Sequence, residues 1–306
     1  MPRRLLTAVG LFLGTFVFWA LVLWAMGRLT APLAGDEPDY LSRGQGFLAE
    51  GWRALADGYR PPGFPLLVAL VEQSLPGSDH HLALRLINLA LASLVPAIWW
   101  LAAPASGPDR RVFELTALMV AAWPGFYLLS GRIMAEGMVL LGLSLVLVLA
   151  WRWRAMPVWT ALLLGALIGG MALTKGNLML LAPALGVYAL FFAAGGLGRR
   201  VSKAALISGM ALLVASPWMT LLDRYAGAPA LTTSTGYNLL VGTGHYDFGM
   251  RRMNTADPSL AQTYLARSGV EERTIQGVTT ALSPEATEQL LALAAEARPD
   301  RPQARG

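Results

Sequence analysis

The chain has 306 residues, of which 55% are hydrophobic and 14% charged. Soluble domains carry about 25% charged residues, so this composition excludes a soluble globular protein and points to an all-α integral membrane protein. There are no cysteines, which excludes disulfides, thiolate metal sites and cysteine nucleophiles. The formal net charge of +5 comes largely from arginines in loops and is no sign of a nucleic-acid partner.

Arg3 and Arg4 precede an uncharged run from Leu5 to Gly27. The core of a signal peptide spans roughly 7–15 residues, and this run is longer. A bilayer-spanning helix needs about 20 apolar residues, so the run predicts a first transmembrane helix. Residues 30–63 follow as a polar loop. Within it Leu41, Phe47, Leu48, Trp52 and Leu55 recur at helical spacing. That pattern predicts amphipathic helices lying on the membrane surface. Phe64 to Leu75 is apolar but too short to cross, and reads as a re-entrant or interfacial helix. Six further spans follow at about 82–103, 112–131, 133–151, 157–174, 177–194 and 204–222, about seven in all. A helix is predicted to start at Ser283-Pro284-Glu285, with Ser as N-cap and Pro at the first helical position. The domain reading is a seven-helix module over 1–222, with 30–81 as its external loop, and a non-cytoplasmic tail over 223–306.

Arginine pairs set the orientation. Arg3 and Arg4, Arg110 and Arg111, Arg152 and Arg154, and Arg199, Arg200 and Lys203 all fall on one side of a seven-span chain. The positive-inside rule makes that side cytoplasmic. The opposite side receives the 30–81 loop, the turns near 130–137 and 174–177, and everything after Leu222. The reading is a multi-pass protein of a bacterial cytoplasmic (inner) membrane, with its active site on the periplasmic or external face.

The chemistry-bearing residues lie on that external side. Asp36 and Glu37 open the acidic stretch GDEPDY. A carboxylate held beside a nucleophile takes its proton during group transfer. The plainer alternative is an acidic helix start favoured by the helix dipole. Tyr59 and Arg60 precede the stiff pair Pro61-Pro62, and a guanidinium there suits a phosphate or a lipid headgroup. Arg132 and Glu136 are four residues apart, which would put both on one helix face as an interfacial ion pair. Lys175, one of only two lysines in the chain, sits in the TKGN turn as a candidate phosphate contact. Arg85 and Asn88 read as structural, bonding neighbouring helices. A metal role for His80 and His81 is weakly supported. Asn238 belongs to TTSTGYNLLVGTG, a hydroxyl- and glycine-rich stretch suited to lining a sugar cavity.

Taken together, GDE after the first span, RPPGFPLLVAL, RLINLALASL, SGRIMAEGMVLL, ALTKGNLMLLAPAL, SPWMTLLDRYAG and TSTGYNLLVGTG occur in an order that resembles the C-type-fold (GT-C) membrane glycosyltransferases. The similar branch is that of the protein O-mannosyltransferases and the lipid A aminoarabinose transferase, and the resemblance covers residues 1 to about 250. It implies a polyprenyl-phosphate-linked sugar donor, used on the non-cytoplasmic face, and a seven-helix module with juxtamembrane helices in the first external loop. It implies Asp36 as catalytic base with Glu37 beside it, and Glu136 as the second acidic site. It implies Arg60 on the lipid phosphate and Lys175 near the donor phosphate. It also implies several further membrane-spanning helices after the position of Gly244, where this sequence is expected to hold no further span.

The resulting expectation is an inverting glycosyltransferase acting on a polyprenyl-phosphate-linked sugar. Its acceptor, whether lipid, glycan or protein, is open. No cofactor is expected, and a divalent-metal requirement is open. The alternatives are a lipid-linked sugar transporter, which would call for polar residues at mid-membrane, and a truncated, non-catalytic polyprenyl-lipid-binding protein.

Overall fold

The structure is a computed structural model that describes residues 2–75, 79–152, 157–227 and 229–232. Asn238, the rest of the TTSTGYNLLVGTG stretch after Thr232, and the helix expected at Ser283 lie outside the described residues. All regular structure among the described residues is helical. Contacts divide the chain into two compact units. One comprises Met1–Ala54 and Pro61–Pro217, the other Leu55–Arg60 and Trp218–Gly306.

Helix α1 spans Pro2–Ala25. Ala8, Thr15, Trp19 and Leu23 are buried at helical spacing, while Leu6, Val9, Leu13, Val17, Leu21 and Trp24 form an exposed apolar stripe. A helix with one face on protein and an equally apolar face outward is built for lipid. It stops at Gly27, whose φ of 67° is left-handed. The Gly27 amide bonds Trp24 O and the Arg28 amide bonds Leu23 O. This paired closure satisfies carbonyls that the helix end leaves open, and it suits glycine because no Cβ opposes the backbone.

The expected surface helices are present. Helix α2 spans Glu37–Glu50 and runs into a 3₁₀ turn over Gly51–Leu55. Helix α3, Gly63–Ser74, has only 12 residues, too few for a crossing of about 20. Tyr40 of α2 meets Phe64 of α3 edge-on at 5.0 Å. These two rings, with Leu41, Val68, Val71, Leu84, Ile133 and Ala135, form a buried apolar core.

Helix α4, His80–Ala102, starts on Asp79, whose carboxylate accepts the Leu82 amide at 3.1 Å. The segment expected as one span over 112–131 is instead two helices. Helices α5, Pro108–Ala122, and α6, Pro124–Ser130, meet at a bend of 54°. Pro124 is the cause. It lacks an amide for the ladder and pushes Trp123 to an extended ψ of 107°. Helix α7 covers Glu136–Arg152 and α8 covers Trp159–Ala172. The next expected span begins as a 3₁₀ turn over Gly176–Leu180 and continues as α9, Leu181–Phe192. Helix α10, Leu197–Ala226, is 30 residues long.

Among the described residues three helices are long and apolar enough to cross a membrane: α1, α4 and α10. The bent α5–α6 pair makes a fourth if it counts as one span, and α3, α7, α8 and the 176–192 segment are apolar but shorter. The protein is thus membrane-embedded, and the regular structure of its described residues is all helical.

The ends of the first unit are chemically distinct. At one end Arg4 donates to Ala103 O at 2.6 Å and to Pro104 O at 2.7 Å. That joins the start of α1 to the end of α4 and the start of α5, so Arg3, Arg4, Arg110 and Arg111 share this end. The other end carries the acidic loop and the start of α4.

Candidate active site

The stretch from Leu29 to Glu37 leaves α1 and enters α2 with no regular structure of its own. Its backbone is held by side chains of other elements. Arg85, from the second turn of α4, is 2% exposed. Its Nη1 donates to Leu29 O at 2.9 Å and Ala31 O at 2.8 Å. Its Nε and Nη2 donate to Glu37 Oε1 at 3.2 and 3.1 Å.

Glu37 is likewise 2% exposed. Beyond Arg85, Oε1 accepts the Ile133 amide at 2.9 Å. Oε2 accepts the Ala34 amide at 3.0 Å and lies 3.7 Å from Arg132 Nε. Arg132 Nη2 also donates to Ala34 O at 3.0 Å. Both oxygens of this carboxylate thus accept hydrogen bonds, and two guanidinium groups offset its charge. A buried ion pair is tolerable only when it is saturated in this way. Glu37 is therefore the knot that ties the loop to α4 and to the turn before α7.

Asp36 is the contrast. It is exposed, sits one residue before the knot, and its side chain does not cap α2. The residue before it, Gly35, has φ 63°. Two adjacent carboxylates thus differ in exposure: Glu37 is buried and Asp36 is exposed.

Arg132 and Glu136 do not share a helix face, contrary to the i, i+4 expectation. Residues 131–135 form a turn, and α7 begins only at Glu136. Asn88 is the reason. Its Nδ2 donates to Arg132 O at 2.9 Å and Met134 O at 2.8 Å, occupying carbonyls that a helix would need for its own ladder. Arg132 then turns to Glu37, and Glu136 pairs with Lys175 at 3.1 Å. Lys175 is 45% exposed, and Oε2 of Glu136 is buried without a hydrogen-bond partner.

The TKGN turn is held in place from α3. The Gly63 amide donates to Leu173 O at 2.6 Å, and a Cβ on Gly63 would stand 2.6 Å from Thr174 Oγ1. The paired prolines therefore lead straight onto the turn that carries Lys175. Tyr59 and Arg60 belong to the second unit. There the Arg60 guanidinium lies over the Tyr59 ring at 5.1 Å, and Thr232 Oγ1 donates to Tyr59 O at 2.9 Å.

One close approach is testable directly. A Cβ on Gly137 would lie 2.1 Å from Asn88 Oδ1 and 2.6 Å from Asn88 O. No rotamer relieves a clash with the backbone oxygen. Gly137→Ala should lower stability by about 1–3 kcal/mol, read as a drop in thermal unfolding temperature in detergent. Gly170→Ala, where a Cβ meets nothing within 4 Å, should leave it unchanged.

Residues 61–228 match the family model described as dolichyl-phosphate-mannose-protein mannosyltransferase. The chain belongs to this family. No curated protein and no solved structure matches it significantly. The mannosyltransferase-family segment contains Arg85, Asn88, Arg132, Glu136 and Lys175. Asp36 and Glu37 precede it in the chain, and Glu37 is joined to it by its Arg85 and Arg132 contacts. The family match makes a glycosyltransferase-type role the coarse functional assignment. Among the described residues no three of His, Asp and Glu are grouped to hold a metal, and His80 Nε2 lies instead 2.8 Å from Leu75 O.

Arg85 and Asn88 carry more of the site than their sequence context announces. The signal that finds them is an arginine and an amide three residues apart inside an otherwise apolar span. Polar groups at such depth are costly unless they bond other elements.

Proposed function

We propose that this membrane protein transfers a sugar from a polyprenyl-phosphate-linked donor to an acceptor on the non-cytoplasmic face, with inversion at the anomeric carbon. In this reading the seven apolar segments of the sequence, each taken with its flanking turns, serve as crossings. The observation that carries the reading is the exposed Asp36 carboxylate on a backbone immobilised by the buried Glu37 beside it. A base must be presented to substrate on a rigid carrier, because small misplacements cost large factors in rate.

In the proposed step an acceptor oxygen or nitrogen attacks the anomeric carbon and gives its proton to Asp36. The bond from that carbon to the phosphate oxygen breaks, and its electron pair leaves with polyprenyl phosphate. Cations stabilise the negative charge that gathers on this leaving group. Lys175 is the candidate from the first unit. It exchanges the Glu136 carboxylate for the phosphate, as its half-exposed position allows. Arg132 and Arg60 are the further candidates, and Tyr59 and Asn238 remain candidates for the sugar.

The experiment is turnover by the full chain in liposomes, supplied with polyprenyl-phosphate-linked mannose or aminoarabinose and read as released polyprenyl phosphate. Arg60→Ala is expected to weaken donor binding, and Arg60→Lys to restore part of it, since lysine keeps the charge but not the planar fork. Equal donor affinity in all three proteins would remove Arg60 from the site. Failure of the wild type to turn over any lipid-linked sugar would refute the reading.

A further inference from the structure

Two acids of the site are served very differently. Both oxygens of Glu37 accept hydrogen bonds, from Arg85 and from the Ile133 and Ala34 amides. Glu136 meets one donor among the described residues. Its Oε1 lies 3.1 Å from Lys175 Nζ, and its Oε2 is buried with no hydrogen-bond partner. A buried oxygen without a donor keeps its desolvation cost uncompensated. Lys175 is therefore the counter-charge on which Glu136 depends. Glu136 is also the first residue of α7, where the helix dipole favours an acid, so the carboxylate is drawn to stay beside Lys175.

The Lys175 ammonium can change partners while its backbone stays in place. Its amide donates to Met171 O at 2.8 Å, and its carbonyl accepts the Leu178 amide at 3.0 Å. The Gly63 amide fixes the same turn through Leu173 O. The Lys175 side chain is 45% exposed, so an anion from outside reaches it without unfolding the turn. An ammonium is a compact point charge and lacks the fork that spreads an arginine over two anions. A carboxylate and a phosphate gathered on it repel one another, so the two compete.

The two lipids of the proposed reaction differ in charge. The sugar-linked donor is a phosphate diester with one negative charge. The polyprenyl phosphate that leaves is a monoester, which carries about 1.5–2 negative charges at neutral pH because its second pKa is about 6. Lys175 alone would hold the product more tightly than the donor and slow each following turnover. A carboxylate competing for the same ammonium counters this, and its repulsion acts most on the more highly charged lipid. We propose that Glu136 competes with polyprenyl phosphate for Lys175 and so drives release of the product lipid. This rests on the donor reading above. It gives Glu136 a part in product release and none in proton transfer.

The test uses the full chain in nanodiscs, with polyprenyl phosphate and polyprenyl-phosphate-linked mannose each titrated by native mass spectrometry. Glu136→Gln keeps the shape of the side chain and removes its charge. If the carboxylate holds Lys175 about nine-tenths of the time, freeing the ammonium tightens binding of both lipids about tenfold. Polyprenyl phosphate is expected to gain the more, since it also escapes the stronger repulsion. In turnover, kcat of Glu136→Gln should fall, with a burst of about one polyprenyl phosphate formed per chain before the slower steady rate. Lys175→Arg is the second variant and decides where Glu136→Gln does not fold. Its fork holds carboxylate and phosphate together, so tighter binding of polyprenyl phosphate is expected there too. Polyprenyl phosphate affinity at or below the wild-type value in the folded variant would overturn the proposal. So would a first turnover of Glu136→Gln as slow as its steady rate, which would place Glu136 in the chemistry. If the wild type turns over no lipid-linked sugar, the donor reading fails separately. The polyprenyl phosphate titration then decides alone: tighter binding in Glu136→Gln supports the competition, and equal binding overturns it.

Discussion

Asp36→Asn should abolish sugar transfer while leaving the fold and donor binding close to wild type. Asn has nearly the same shape as Asp but does not accept a proton at neutral pH. General-base assistance is worth about 10²–10⁴-fold in rate, so single-turnover assays will resolve the loss. The fold is expected to survive because Asp36 is exposed and makes no cap on α2. The measurement pairs kcat with donor affinity and unfolding temperature. A fall in kcat alone fits the base. A fall in all three would make Asp36 structural. Full turnover in Asp36→Asn would sink the mechanism as written, and the base would have to be sought elsewhere.

The membrane class and most helices were legible because they depend on composition and run length. An uncharged run of 23 residues from Leu5 to Gly27 has few alternatives to a spanning helix. The bend at Trp123-Pro124 was also written in the sequence, yet the apolar run around it reads as one continuous span. Hydropathy is indifferent to a missing amide. The pairing of charges was not legible. Spacing of four residues placed Arg132 with Glu136, and that rule holds only if the intervening residues are helical. Asn88, more than 40 positions earlier, takes the Arg132 and Met134 carbonyls and unwinds the turn. A side chain bonding across such a separation leaves no local trace. Asp36 and Glu37 show the same limit at closer range. Both were expected at the chemistry, Asp36 as the base with Glu37 beside it, and only the fold separates the buried one from the exposed one.

Glu37 and Arg85 supply the largest expected effect on stability. Arg85→Met would leave the Glu37 carboxylate buried with less compensation and would orphan the Leu29 and Ala31 carbonyls as well. Removing one partner of a buried pair typically costs about 3–5 kcal/mol. Arg85→Lys should recover little, because one ammonium on a flexible stem does not span Glu37 and two backbone carbonyls together. Glu37→Gln should cost less, since its amide oxygen still accepts the Ile133 amide, although two guanidinium groups lose their counter-charge. The double variant Glu37→Gln with Arg85→Met should be less unstable than the sum of the singles, which is how a direct interaction declares itself. Denaturation in detergent gives these values. Activity separates positioning from chemistry. Where Glu37→Gln is still folded, its turnover should fall only in part, through a misplaced Asp36. A Glu37→Gln protein that is as stable as wild type and binds donor as well but has no turnover would transfer the base role from Asp36 to Glu37. Strict additivity of the two single variants would mean that the ion pair does not hold the loop.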